Sequence, residues 1–160
     1  MIKNIKACIF DLDGTLVDSM WMWPEIDKEY LGRFGIEYDD NLKNEIDGIS
    51  FHETAVYFKN KFGISDSIEK ICKDWEDMAY DKYKNEVKEK RGCQKFLEQL
   101  KSKGIKMGIA TSNKRSMVDV VLESLGMKNF FEVITTSDEV KKGKPAPDVY
   151  LTTAKLLNVE

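Results

Sequence analysis

Two aspartates, Asp11 and Asp13, have the clearest chemical potential in the chain, because they directly follow an apolar run at residues 5–10. The run predicts a buried β-strand, and Gly14 allows the backbone to turn immediately after the second carboxylate. In α/β proteins the carboxyl ends of parallel strands form the edge where ligands bind. Paired carboxylates there can bind a divalent cation, attack an electrophile and exchange a proton. The pattern therefore predicts an active site after the first strand.

Further polar side chains follow the next two predicted strands. They are Thr111, Ser112 and Asn113 after residues 105–110, and Lys144 in the loop after residues 131–135. A parallel sheet would gather all these loops at one edge, beside the aspartates. Hydroxyl groups, backbone N–H groups at a helix start and an ammonium are the groups that hold a phosphate. A lysine and Mg²⁺ would offset the repulsion between that phosphate and an attacking carboxylate.

The elements that must position these residues fall into two classes. Residues 18–90 have helical periodicity and no convincing strand, whereas strands alternate with helices from residue 91 onward. Predicted helices cover residues 19–34, 41–46, 66–87 and 147–157, and others end at Gly63, Gly104 and Gly126. We therefore predict an α/β fold, with a Rossmann-like parallel sheet core formed by residues 1–17 and 91–160. An α-helical bundle at residues 18–90 is inserted into that core.

Three details of this assignment can be checked individually. Residues 50–53 form a capping-box pattern that opens a helix. The charged run at residues 82–91 is interpreted as a solvated helix end. A helix that carries Phe96, Leu97 and Leu100 is expected to end at Gly104.

Composition narrows the classes of partner. The net charge is −3 and there is no basic block, which argues against nucleic acid as the main partner. No apolar stretch is long enough to span a bilayer, and the amino terminus lacks the pattern of a signal peptide. The three cysteines, Cys8, Cys72 and Cys93, have no paired spacing. They predict reduced thiols in a cytoplasmic protein.

Taken together, the three motifs resemble those of the haloacid dehalogenase superfamily. The match covers essentially the whole chain and consists of Asp-Leu-Asp-Gly-Thr at 11–15, Ile-Ala-Thr-Ser-Asn at 109–113 and Gly-Lys-Pro-Ala-Pro-Asp at 143–148. The helical insertion resembles the type-one cap of the subgroup that contains β-phosphoglucomutases and phosphoglycolate-type phosphatases. In this order the motifs are highly specific, although any one alone would not be.

The resemblance implies a role for each residue. Asp11 would be the nucleophile that forms an aspartyl-phosphate, and Asp13 would protonate the leaving oxygen and then activate water. Mg²⁺ would bind the Asp11 carboxylate and the backbone carbonyl of Asp13. Thr111, Ser112, Asn113 and Lys144 would bind the phosphoryl group, with Ser112 and Asn113 offering backbone N–H groups. The cap would close over the site and choose the substrate, a small phosphorylated metabolite of the sugar phosphate type.

Two departures from the family pattern affect the expected activity. A fourth acidic motif, which would complete the metal site, should follow one strand beyond the last helix, so we expect the chain to be incomplete at its carboxyl end. That missing strand would pair with residues 5–10, leaving them an apolar edge. Mutases of the subgroup carry a histidine and an arginine where this chain has Trp23 and Phe51. Phosphate hydrolysis is therefore favoured over mutase activity.

Three functions remain open at this point. The leading hypothesis is a Mg²⁺-dependent phosphatase that forms an aspartyl-phosphate. A phosphosugar mutase of the β-phosphoglucomutase type is the second, and an inactive, truncated phosphate-binding module is the third. Dehalogenation is disfavoured, because the family's dehalogenases lack an aspartate at the position of Asp13, whereas phosphoryl transfer favours a proton donor there.

Overall fold

The computed structural model describes residues 5–39, 41–46 and 51–159. Its strands are β1 (Ala7–Phe10), β2 (Val17–Asp18), β3 (Lys88–Glu89), β4 (Lys106–Thr111) and β5 (Val133–Thr136). Its helices are α1 (Met22–Gly32), α2 (Leu42–Ile46), α3 (Phe51–Phe62), α4 (Ile68–Asn85), α5 (Cys93–Ser102), α6 (Arg115–Ser124) and α7 (Asp148–Leu156). Two 3₁₀ turns, Lys128–Phe130 and Ser137–Glu139, flank β5.

The chain divides into two compact units, one formed by residues 1–20 and 83–160 and the other by residues 21–82. The first unit contains a parallel sheet in the order β1-β4-β5. The strands alternate with helices, and α7 packs against all three strands. The predicted α/β fold, with a parallel sheet and a helical segment inserted after the first strand, is confirmed.

Strand β4 is the centre of the first unit. Its residues from Met107 to Thr111 are all buried, as expected for a strand covered on both faces. Gly108 allows α7 to approach closely, because a Cβ there would lie 2.7 Å from Thr153 Cγ2 and 3.1 Å from Leu157 Cδ1. A side chain at this position would therefore overlap the helix.

We expect Gly108→Ala to lower the free energy of unfolding by about 1–3 kcal/mol, since the added methyl group overpacks the β4–α7 contact. Urea denaturation measures this change. Gly32→Ala is the matched control, because a Cβ at Gly32 in α1 meets no atom within 4 Å. It should be neutral or stabilising by up to about 1 kcal/mol. Equal stability of the two variants would contradict the packing argument.

The second unit is a set of helices built around Trp75 of α4, which is 2% exposed. The rings of Tyr30, Phe51 and Phe58 surround it, with edge-to-face centroid distances of 5.8, 5.4 and 4.9 Å. Aromatic pairs in this geometry add stabilisation beyond the area they bury. The apolar residues that repeat with helical periodicity in this segment therefore form the core of the second unit.

One sequence interpretation of this region is wrong. Residues 82–91 are not simply a helix end, because Lys88–Glu89 pairs antiparallel with Val17–Asp18. Lys90 extends the pairing, since its N–H donates to the Leu16 carbonyl (2.9 Å). Strands of two residues are too short to produce an alternating pattern, so sequence periodicity missed them. Helix α5 carries Phe96, Leu97 and Leu100 as predicted; Leu97 and Leu100 are buried, and Phe96 is 48% exposed. Ser50 of the capping-box pattern lies outside the described residues.

Candidate active site

A tight turn after β1 positions the two aspartates. The carbonyl of Leu12 accepts hydrogen bonds from the N–H groups of Leu16 (2.9 Å) and Val17 (3.1 Å), and the N–H of Gly14 donates to the Val17 carbonyl (2.9 Å). Gly14 has a φ of +75°, a conformation that residues with a Cβ rarely adopt. The chain therefore reverses immediately after Asp13, at the carboxyl end of β1.

Lys144 forms an ion pair with Asp11 across the site. Its Nζ lies 2.5 Å from Asp11 Oδ1, and the two side chains are 22% and 35% exposed. Tyr150 of α7 lies beside the ammonium, with its ring centroid 5.0 Å from Nζ. Burial works against the charged form, but the hydrogen bonds and charge of Asp11, with a contribution from Tyr150, raise the pKa of Lys144 above its usual value. The lysine therefore stays cationic beside Asp11.

Asp13 accepts hydrogen bonds from three side chains. Ser19 Oγ and Tyr83 Oη each donate to Oδ1 at 2.6 Å, and Asn113 Nδ2 donates to Oδ2 at 2.9 Å. Asn113 Nδ2 also donates to Tyr83 Oη at 2.8 Å. The two aspartates thus have different surroundings: Asp11 pairs with a cation, whereas Asp13 is held by neutral donors.

Thr111, at the end of β4, is 1% exposed. Its Oγ1 accepts the backbone N–H of Asn113 at 3.1 Å. No hydrogen bond among the described residues uses the Thr111 hydroxyl proton. The proton is therefore available to an acceptor such as a phosphate oxygen. Ser112 is exposed at this turn.

Asn113 differs from its sequence-based description. Its N–H group was expected to face a phosphate, but it lies within the turn, bonded to Thr111. Its side chain instead reaches Asp13. A threonine two residues before an N–H group can close such a turn by itself, which explains the difference.

Sequence reasoning missed two residues of this site, Ser19 and Tyr83. Ser19 is 1% exposed, and Tyr83 is also 1% exposed at the end of α4. Tyr83 lies on the apolar side of that helix, so its position indicated only a core residue. The available signal was its hydroxyl, because a buried tyrosine usually needs a hydrogen-bond partner.

The oxygen atoms after β1 suit a hard cation. Asp11 presents a carboxylate, and no hydrogen bond among the described residues uses the Asp13 carbonyl oxygen. Few protein ligands and several retained waters are typical of Mg²⁺. The described ranges contain no group of three or more histidine, cysteine or acidic residues that could enclose a metal ion. Glu139 already pairs with Arg115 at 2.6 Å, so it is not a candidate ligand.

Comparison with known proteins agrees with this geometry. The family model for haloacid dehalogenase-like hydrolases matches residues 8–160. A phosphorylated carbohydrates phosphatase of Thermotoga maritima is 32% identical over 155 residues, which cover 97% of this chain and 72% of that protein. A bifunctional riboflavin kinase/FMN phosphatase of Arabidopsis thaliana is 27% identical over 158 residues, covering 98% of this chain but only 41% of that protein.

A solved Thermotoga maritima structure, whose name places it among the β-phosphoglucomutases, is 31% identical with a TM-score of 0.88. It is matched over 98% of this chain and 72% of its own length. In the described part of the chain, none of the helices combines the length and apolar character needed to cross a membrane. The motifs, the sheet and the family match agree, and the chain belongs to the haloacid dehalogenase-like hydrolases.

Proposed function

We propose that this chain is a Mg²⁺-dependent phosphatase that hydrolyses a small phosphorylated metabolite through an aspartyl-phosphate. The observation that carries the proposal is the difference between the partners of the two aspartates. Asp11 is paired with Lys144 at 2.5 Å, whereas Asp13 accepts hydrogen bonds from neutral donors. Two carboxylates in unlike surroundings can serve as nucleophile and as acid/base catalyst.

In the first step, an Asp11 carboxylate oxygen attacks phosphorus and the bond to the leaving oxygen breaks. Asp13, protonated at that stage, gives its proton to this oxygen. Lys144 and the hydroxyl proton of Thr111 stabilise negative charge on the phosphoryl oxygens. Mg²⁺, held by the Asp11 carboxylate and the Asp13 carbonyl, would reduce repulsion between nucleophile and phosphate.

In the second step, Asp13 is ionised and takes a proton from water. The resulting hydroxide attacks phosphorus, the bond between phosphorus and Asp11 breaks, and inorganic phosphate leaves. Asp11 is regenerated as a carboxylate and Asp13 is protonated again, so the cycle consumes only ester and water. One residue thus acts as acid and then as base.

We propose a sugar phosphate type of substrate, in line with the named activity of the Thermotoga maritima relative. All residues predicted from the sequence to do chemistry lie in 1–17 and 91–160, so the helical segment 18–90 is proposed to contribute substrate choice. Trp23 and Phe51 of that segment pack edge-to-face at 6.0 Å. An apolar pair cannot replace the histidine and arginine of the mutases, which favours a phosphatase. A cytoplasmic location stays a prediction from the sequence.

Metal removal tests the proposal. Phosphate release from an aryl phosphate should fall at least about a hundredfold in EDTA, because the cation supplies several kcal/mol of charge stabilisation. Excess Mg²⁺ should restore the rate. Turnover that is unaffected by EDTA would contradict the metal requirement.

A second assay distinguishes a phosphatase from a mutase. With a sugar monophosphate and a sugar bisphosphate activator, release of inorganic phosphate is expected, whereas phosphate retained on the sugar would instead identify a mutase.

A further inference from the structure

The hydrogen bonds around Asp13 have a direction that one backbone group determines. The N–H of Lys114 donates to Asn113 Oδ1 at 2.8 Å, and an N–H group can only donate. Oδ1 is therefore the amide oxygen, and Asn113 Nδ2, which has no acceptor capacity, must donate to both of its other partners. These are Asp13 Oδ2 and Tyr83 Oη, at 2.9 and 2.8 Å.

The hydrogen bond from Asn113 orients the hydroxyl of Tyr83. Its oxygen accepts from Asn113, so its proton points to Asp13 Oδ1, 2.6 Å away. Tyr83 therefore donates its hydrogen bond to Asp13 in this network.

The two oxygens of Asp13 are not equivalent. A carboxylate oxygen has two lone pairs in the plane of the group. Ser19 and Tyr83 occupy both on Oδ1, whereas Asn113 occupies one on Oδ2. Only Oδ2 retains a lone pair for a transferred proton.

We propose that Tyr83 is a positioning residue. Together with Ser19, it occupies both lone pairs of Asp13 Oδ1 and so makes Oδ2 the oxygen that carries the proton. Asn113 orients both Tyr83 and Asp13 for this purpose. The assignment rests on the proposed function, because it concerns the acid/base step of that reaction. It adds two residues, Ser19 and Tyr83, that the sequence motifs do not contain.

Tyr83→Phe tests the assignment, since it removes the hydroxyl and keeps the ring. An alkyl phosphate needs a proton on its leaving oxygen, whereas 4-nitrophenyl phosphate does not. We expect kcat/KM to fall about tenfold or more for the alkyl ester and less than about twofold for the aryl ester, within the usual size of acid/base effects. Because water must still be activated, kcat for the aryl ester should fall as well.

Ser19→Ala removes the other hydrogen bond to Oδ1 and should give the same difference in kcat/KM between the two esters. It provides a second test if Tyr83→Phe folds poorly. Tyr80→Phe is the matched control, because Tyr80 is a 43% exposed tyrosine of α4. It should behave as the unaltered chain. If kcat/KM fell equally on the two esters in both Oδ1 variants, or did not fall in either variant, the assignment would be overturned. Absence of turnover by the unaltered chain on either ester would instead remove the proposed function, and this inference with it.

Discussion

Asp11→Asn is expected to abolish turnover, with a loss in kcat of at least about ten-thousandfold, as for other removed nucleophiles. A neutral amide oxygen is a poor nucleophile, and the variant cannot form the aspartyl-phosphate. Folding should be retained, because Asp11 and Lys144 are both partly exposed and such an ion pair contributes at most about 1 kcal/mol. Phosphate release and the melting temperature, measured on the same preparation, separate these two effects.

The intermediate provides a direct readout for this variant. Acid quenching after mixing with radiolabelled substrate should leave label on the unaltered protein and none on Asp11→Asn. Asp138→Asn is the matched control, since Asp138 is an exposed aspartate that also follows a strand of the sheet. It should keep full activity. Label retained on Asp11→Asn would assign the nucleophile to another residue.

Lys144→Met should produce the second largest loss, about a hundredfold to a thousandfold in kcat, by analogy with removal of one group that stabilises transition-state charge. The ammonium lies 2.5 Å from Asp11 Oδ1, so its removal leaves the nucleophile and the incoming phosphate with uncompensated negative charge. KM should rise too, because the same charge binds the substrate. Lys142→Met, which alters an exposed lysine two residues earlier, is the control. Equal activity of the two variants would exclude Lys144 from the site.

The raised pKa of Lys144 also predicts a pH dependence. The pairing with Asp11 stabilises the folded chain below the ordinary lysine pKa of about 10.4, and this contribution is lost as the pH rises through the raised value. The free energies of unfolding of the unaltered chain and of Lys144→Met, measured with urea, should therefore converge in the alkaline range. If the difference in free energy of unfolding stayed constant across that range, the ion pair would not be the source of the difference.

The sequence alone determined the fold class, the helical insertion and the main candidate residues, because each depends on local patterns. The helical periodicity at residues 66–87 corresponds to α4 (Ile68–Asn85), and the apolar run before Asp11 corresponds to β1. The sequence also placed Asp11 and Lys144 at one edge of a parallel sheet, where the structure brings them together. Strand direction is sufficient for that prediction, since parallel strands share a carboxyl edge.

Only the tertiary structure decided how Asp13 is held. Ser19 and Tyr83 reach its Oδ1 from positions 6 and 70 residues away along the chain, and Asn113 reaches its Oδ2 from 100 residues away. The pairing of β2 with β3 was likewise invisible, because two-residue strands have no periodicity. Local sequence patterns report which face of an element is buried. Which polar atom a buried side chain meets depends on contacts between distant segments, and it becomes defined only when the chain has folded.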